Sequence, residues 1–224
     1  MIDKNVILSQ IGERAALWCA TDMDGADLAR AVEVLEQQNM KMISVGAGAV
    51  ATVWPWLEEK DVKIYARFNF PDKRISEKQI SDITVQINEA FKRGAHGAQI
   101  FLQVSALSGL VEQTHVIRDD LFFDKDLIVG MDILNIDVTD WEGVFANLRK
   151  INASAVVFTL SQDSGDKSDF VGRIYAMLNA WSVENKFGLH FAFGLNFMRI
   201  EQALRMTHCV KPSLDNRLCF WLNY

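Results

Sequence analysis

In the segment VKIYARFNF the apolar residues Ile64, Ala66, Phe68 and Phe70 alternate with Tyr65, Arg67 and Asn69. Alternation along a strand sends the two sets to opposite faces. If the apolar set packs beneath a layer of helices, Tyr65, Arg67 and Asn69 share the inner face. The same parity groups Gln99, Phe101 and Gln103 in AQIFLQV, Ile128, Gly130 and Asp132 in LIVGMDIL, and His190 and Ala192 in LHFAFG. In AVVFTLS both sets are apolar and the parity is ambiguous. Buried polar groups without partners cost about 1–3 kcal/mol each. An interior that gathers an arginine, glutamines, an asparagine, an aspartate and a histidine is therefore a closed network or a ligand pocket. In the network, Arg67 pairs with Asp132 and His190 is hydrogen-bonded beside them. In the pocket, Arg67 anchors an anionic group bidentately, His190 and Asp132 are the catalytic acid–base pair, and Asn69, Gln99 and Gln103 orient hydroxyls or carbonyls.

Other segments offer different chemistry. VGAGAVA (Val45–Ala51) matches Gly-X-Gly-X-X-Ala after a strand, the pattern of a dinucleotide turn, and Arg67 suits a 2′-phosphate. An NAD(P)-binding oxidoreductase is thus one alternative, although the same glycines also permit a tight turn in a barrel. The loop SQDSG (Ser161–Gly165) can face an anion at the next helix start. Asp22, Asp132 and Asp163 on three loops are a conceivable Mg²⁺ set, but no histidine pair has metal-site spacing. His96, His115 and His208 are expected at the surface, and Trp54 and Trp56 flank Pro55. No metal and no cofactor is expected.

These residues need elements to hold them. Strand-like runs fall at Ala16–Thr21, Met42–Gly46, Val62–Asn69, Ala98–Val104, Leu127–Leu134, Ala155–Ser161, Leu189–Gly194 and Leu218–Leu222. Helical spacing separates them, as with Ile80, Ile83, Ile87, Ala90 and Phe91, and with Phe170, Val171, Ile174, Met177, Leu178 and Trp181. Ser76 with Gln79 forms a capping box, and Asp24 and Asp140 are further cap candidates. Strict strand–helix alternation predicts parallel pairing and a single-domain (β/α)8 TIM barrel over residues 1–224. It is slightly truncated, ending at strand eight with little or no final helix, and a helix within residues 1–14 caps the barrel floor. An open doubly wound sheet is the competing arrangement.

The 224 residues are half hydrophobic, with a formal charge of −6. That composition suits a soluble globular domain and argues against nucleic acid or an anionic membrane as partner. No apolar run is long enough to span a membrane, and the first residues do not read as a signal peptide. Three cysteines without metal spacing (Cys19, Cys209, Cys219) suggest a reducing cytoplasm. The eighth strand, without a helix after it, would leave large apolar groups uncovered. A homodimer contact near Trp221 or Phe220 is expected there, unless the N-terminal helix or the Lys211–Asn216 loop covers the face.

Four segments in order carry a family likeness: Val62–Lys73 with its Asn69-Phe70-Pro71 turn, Ile87–Gln99, Leu127–Asp132 and Gly188–Ala203. Together they resemble the deoxyribose-phosphate aldolase family of class I aldolase barrels. The resemblance implies a TIM barrel in which a sixth-strand lysine forms a Schiff base, with a seventh-strand lysine and a fourth-strand aspartate tuning it. Matching motifs puts Phe158, His190 and Gln99 at those three positions. Asn196 stands for the family's turn arginine, and LCFWLNY lacks its Gly-Ala-Ser turn. Lys41 and Lys63 lie at strand starts, and Lys167 follows the sixth strand. The expected function is an aldolase-like barrel that binds a small anionic or carbonyl metabolite, as a lyase or isomerase without Schiff-base chemistry. The alternative is a non-catalytic binding or regulatory barrel.

Overall fold

The computed structural model describes residues 4–70, 72–113, 124–160 and 167–224. Eight strands close a barrel in chain order: β1 (Ala15–Trp18), β2 (Met42–Gly46), β3 (Lys63–Phe70), β4 (Gly97–Leu102), β5 (Asp126–Asp132), β6 (Ala155–Thr159), β7 (Gly188–Ala192) and β8 (Leu218–Asn223). Every neighbouring pair is parallel, and β8 closes on β1 through Ala15 opposite Phe220. Closure excludes the open doubly wound sheet. The described helices are α1 (Lys4–Ile11), α2 (Gly25–Gln37), α3 (Val50–Leu57), α4 (Glu77–Lys92), α5 (Leu107–Glu112), α6 (Trp141–Lys150), α7 (Lys167–Ala180) and α8 (Phe197–Val210). The Ser76–Gln79 capping box forms, and Asp24 Oδ1 accepts from Asp27 N at 2.8 Å. Asp140 does not cap α6 with its side chain.

Two apolar layers result from strand alternation. Ile64, Ala66, Phe68 and Phe70 join the shell between barrel and helices, while Tyr65, Ile128, Ala155, Val157, Cys219 and Trp221 pack inside the barrel. The ambiguous strand β6 resolves with Ala155 and Val157 inward. Phe158 faces outward, edge-on to Trp141 at 5.4 Å. Matching Phe158 to the family's nucleophile is thereby corrected: the inward positions are Val157 and Thr159, and neither is a lysine.

The outer face of β8 is covered within the chain. Leu218, Phe220 and Leu222 are 4%, 0% and 4% exposed. Helix α1 packs beside α8 and adds Ile7 and Ile11 to the same shell, together with Leu214 from the turn before β8. Phe220 also stacks on Phe191 at 5.8 Å. Trp221 points into the barrel and is 0% exposed, so it cannot lie at a subunit contact. The apolar face that a homodimer would cover is already buried within the chain. Among the described residues, no helix is long and apolar enough to cross a membrane.

Candidate functional site

The inward polar residues are spread over three depths, and strand tilt is the reason. Barrel closure staggers the strands, so a hydrogen-bonded row drifts along the barrel axis as it crosses them. The row that begins at Asn69, near the end of β3, runs through Phe101, Gly130 and Val157 to His190 and then Cys219, near the start of β8. Residues in one row thus descend from mouth to floor.

At the mouth, Asn69, Gln103, Asp132, Asn135 and Thr159 line a cavity of ≈ 240 Å³. They come from the ends of β3 to β6 and the loops after them, the face on which barrel active sites are built. Asp132 Oδ1 accepts from Leu134 N at 2.9 Å and caps the short turn Ile133–Asn135, which brings Asn135 to the rim. Thr159 Oγ1 donates to Met131 O at 3.3 Å. The inner wall is Phe101, which occupies the space left by Gly130: a Cβ there would lie 2.0 Å from the Phe101 ring. Behind it, Trp18 meets Phe101 edge-on at 5.1 Å and Trp221 at 6.3 Å, and Trp221 meets Tyr65 at 5.9 Å. Aromatic rings fill the barrel centre.

Arg67 and Gln99 lie deeper. Arg67 is 6% exposed, lies 4.4 Å over the Trp18 ring, and donates to Ser44 Oγ at 3.4 Å and to Cys19 O. Ser44 Oγ donates in turn to Gln99 Oε1 at 2.6 Å, leaving Gln99 Nε2 buried without a partner. Burial brings the guanidinium down to about 10, so it stays charged at neutral pH, and burial pushes the Cys19 thiol up to about 11. The expected Arg67–Asp132 pair does not form. Arg67 satisfies itself on a carbonyl, a hydroxyl and a ring face, and it does not line the mouth cavity.

His190 belongs to the floor. Its Nδ1 accepts from Trp221 Nε1 at 3.2 Å, which leaves the proton of the neutral ring on Nε2. A Cβ built on Gly188, at the start of β7, would lie 3.0 Å from that Nε2. Burial brings the imidazole down to about 4. Nearby, Asp126 Oδ2 accepts from Tyr65 Oη at 2.8 Å and from Lys63 Nζ at 3.0 Å. Those hydrogen bonds hold the Asp126 carboxyl below its ordinary range against the opposing effect of burial, while burial and then Asp126 push the Tyr65 hydroxyl up.

Of the sequence-chosen residues, the structure therefore brings Asn69, Gln103 and Asp132 together, sets Arg67 and Gln99 beneath them, and takes His190 away from Asp132. Thr159, Asn135, Ser44 and Asp126 were missed. Ser44 carries the alternation signal in MISVG, and Thr159 carries it once β6 has a parity. Asn135 sits on a turn and carries none.

The remaining candidates divide simply. Gly46 allows the β1 loop to approach, since a Cβ would lie 3.1 Å from Thr21 O. The helix after it, α3, has eight residues with Pro55 inside; packing accounts for Gly46, whereas a Cβ on Gly48 would meet nothing within 4 Å. His115, Asp163 and the SQDSG loop lie outside the described residues. Among the described residues no three His, Cys, Asp or Glu side chains gather as a metal site.

The fold is a (β/α)8 barrel. Among solved structures, the chain is similar to deoxyribose phosphate aldolase from Aeropyrum pernix, a tetramer, with 10% identity over 100% of this chain and 94% of that one, at a TM-score of 0.71. It is similar to QR15, an aldolase, at 12% identity over 98% and 92% of the two chains, with a TM-score of 0.72. The carboxyl transferase domain of Rhizobium etli pyruvate carboxylase aligns with 98% of this chain and 41% of its own, at 13% identity and a TM-score of 0.61. No family model matches the sequence, and no curated protein matches it.

Proposed function

We propose that the chain is a small-molecule-binding barrel whose ligand, an uncharged hydroxycarbonyl or polyol of triose to pentose size, sits at the mouth. The observation that carries this reading is the lining of the mouth cavity: amides, a hydroxyl and one carboxylate over an aromatic floor, with no lysine or arginine among them. Asn69 and Asn135 engage no other described side chain, so both amides remain available to a ligand. No lysine or arginine stands in the described lining to balance an anion, and this favours the carbonyl over the anionic class of ligand. Asp132 is the one titratable side chain in that described lining. A lyase or isomerase step would therefore use its carboxylate as the base, with the amides holding the carbonyl oxygen and Thr159 Oγ1, which donates to Met131 O, accepting from a ligand hydroxyl.

The non-catalytic reading has its own support in the filled barrel centre, which leaves a shallow site. A homodimer built on β8 forms no part of either reading. Thermal-shift titration with dihydroxyacetone, glyceraldehyde and erythrose tests the site, since a ligand of the folded state stabilises by mass action. Saturable stabilisation that is lost in both Asn69→Leu and Thr159→Val supports it. Stabilisation that survives both variants, or none with any compound, refutes it.

A further inference from the structure

A second polar cavity lies at the opposite end of the barrel, between the loop joining α7 to β7 and the turn Pro212–Arg217 that leads into β8. It measures ≈ 170 Å³, and its polar lining is Ser182, Asn185, Lys211, Ser213 and Arg217. Asn185 is 0% exposed. Its Oδ1 accepts from Arg149 Nη1, and its backbone oxygen accepts from Arg217 Nη1 at 2.7 Å. A guanidinium only donates, so the Arg149 bond fixes which end of the amide is oxygen. Asn185 Nδ2 is then a buried donor with no partner, and Ser182 Oγ beside it is also buried and unpartnered.

Two unmade buried hydrogen bonds on one short loop are a standing cost to the fold, and a bound group that accepts both removes it. That group must be an acceptor. Lys211 and Arg217 set its charge, because the lining holds no carboxylate. Asp215, on the same turn, is held by His208 Nδ1 at 3.0 Å and lines a different groove. The cavity has room for a tetrahedral oxyanion and a small group esterified to it.

We propose that this pocket is an oxyanion site that takes inorganic phosphate or the phosphate of a small ester. Asn185 Nδ2 and Ser182 Oγ donate to its oxygens, and Lys211 and Arg217 balance its charge. The proposal is independent of the ligand at the mouth.

Titrating the full chain with inorganic phosphate and with glycerol phosphate, against chloride at matched ionic strength, tests it by thermal shift and calorimetry. Saturable stabilisation by phosphate is expected. Ser182→Ala and Lys211→Met should each weaken binding about tenfold or more, the scale of a lost hydrogen bond to a charged group. Ser182→Ala should leave the phosphate-free melting temperature no lower than that of wild type, because Ser182 Oγ bonds to nothing in the fold. Similar affinity for glycerol phosphate assigns an ester, and a marked preference for the inorganic ion assigns free phosphate. Absence of saturable stabilisation beyond the chloride control, or equal affinity in wild type and both variants, overturns the proposal. Asn69→Leu at the mouth should leave phosphate binding intact, so failure of one site does not count against the other.

Discussion

Burial holds the His190 imidazole at about 4, against 6.5 for the free side chain. The unfolded chain takes up a proton near pH 6.5 that the folded chain refuses until about pH 4. The stabilisation tied to neutral His190 is thus complete above pH 6.5 and is lost as pH falls through that window, by about 3 kcal/mol. Asp126, whose folded carboxyl is held low, adds a loss of the same sign at lower pH. Urea unfolding of wild type and His190→Gln from neutrality to about pH 4 separates the two. The difference between the proteins should shrink as pH falls, and a constant difference would contradict the buried neutral ring. Gly130→Ala makes a second prediction. The new methyl would meet Phe101, a ring already set against Trp18, so a loss of about 1–3 kcal/mol is expected from the denaturation midpoint. At this scale the sequence read well within single strands: Tyr65, Arg67, Asn69, Gln99 and His190 all have the expected parity. It could not read depth. Parity places His190 and Asp132 on one interior, but only the strand stagger shows that one sits at the floor and the other at the mouth.

At the scale of elements, β6 and β8 show what a strand pattern conceals. Both parities of AVVFTLS are apolar, so its facing depends on what packs outside, and Trp141 from α6 takes Phe158. For β8, no helix follows in the described residues, yet α1 from the other end of the sequence packs against the shell that covers its outer side. Ile11 is 1% exposed in that shell, and Ile11→Ala should cost about 2–5 kcal/mol, measured by chemical denaturation. Trp221→Ser separates core from interface. Its ring lies inside the barrel and donates to His190, so the variant should lose about 3–5 kcal/mol of stability. Its sedimentation as folded protein should match that of wild type. A changed association state at unchanged stability would return Trp221 to a surface role.

For the whole molecule, the chain shares its (β/α)8 architecture with aldolases of solved structure. The inner strand positions hold no lysine near the mouth. Lys63 stands at the first position of β3, where it pairs with Asp126 at 3.0 Å with its side chain 58% exposed. Borohydride treatment with acetaldehyde or deoxyribose 5-phosphate should therefore leave the protein mass unchanged, and a reduced adduct on any lysine would contradict this. The overall architecture was legible because alternation of strands and helices constrains a chain strongly. The ligand class was not, because it depends on which polar groups reach the cavity and which are occupied by each other. Arg67 was assigned to a ligand and is held instead by Cys19 O and Ser44. Nuclear magnetic resonance of the side-chain amides during titration with glyceraldehyde reads occupancy of the mouth cavity residue by residue. Binding at the mouth predicts saturable shifts in the amides of Asn69, Gln103 and Asn135, with those of Asn185 unmoved. Shifts confined to Asn185, or no saturable shift at the mouth with glyceraldehyde, dihydroxyacetone or erythrose, would contradict it.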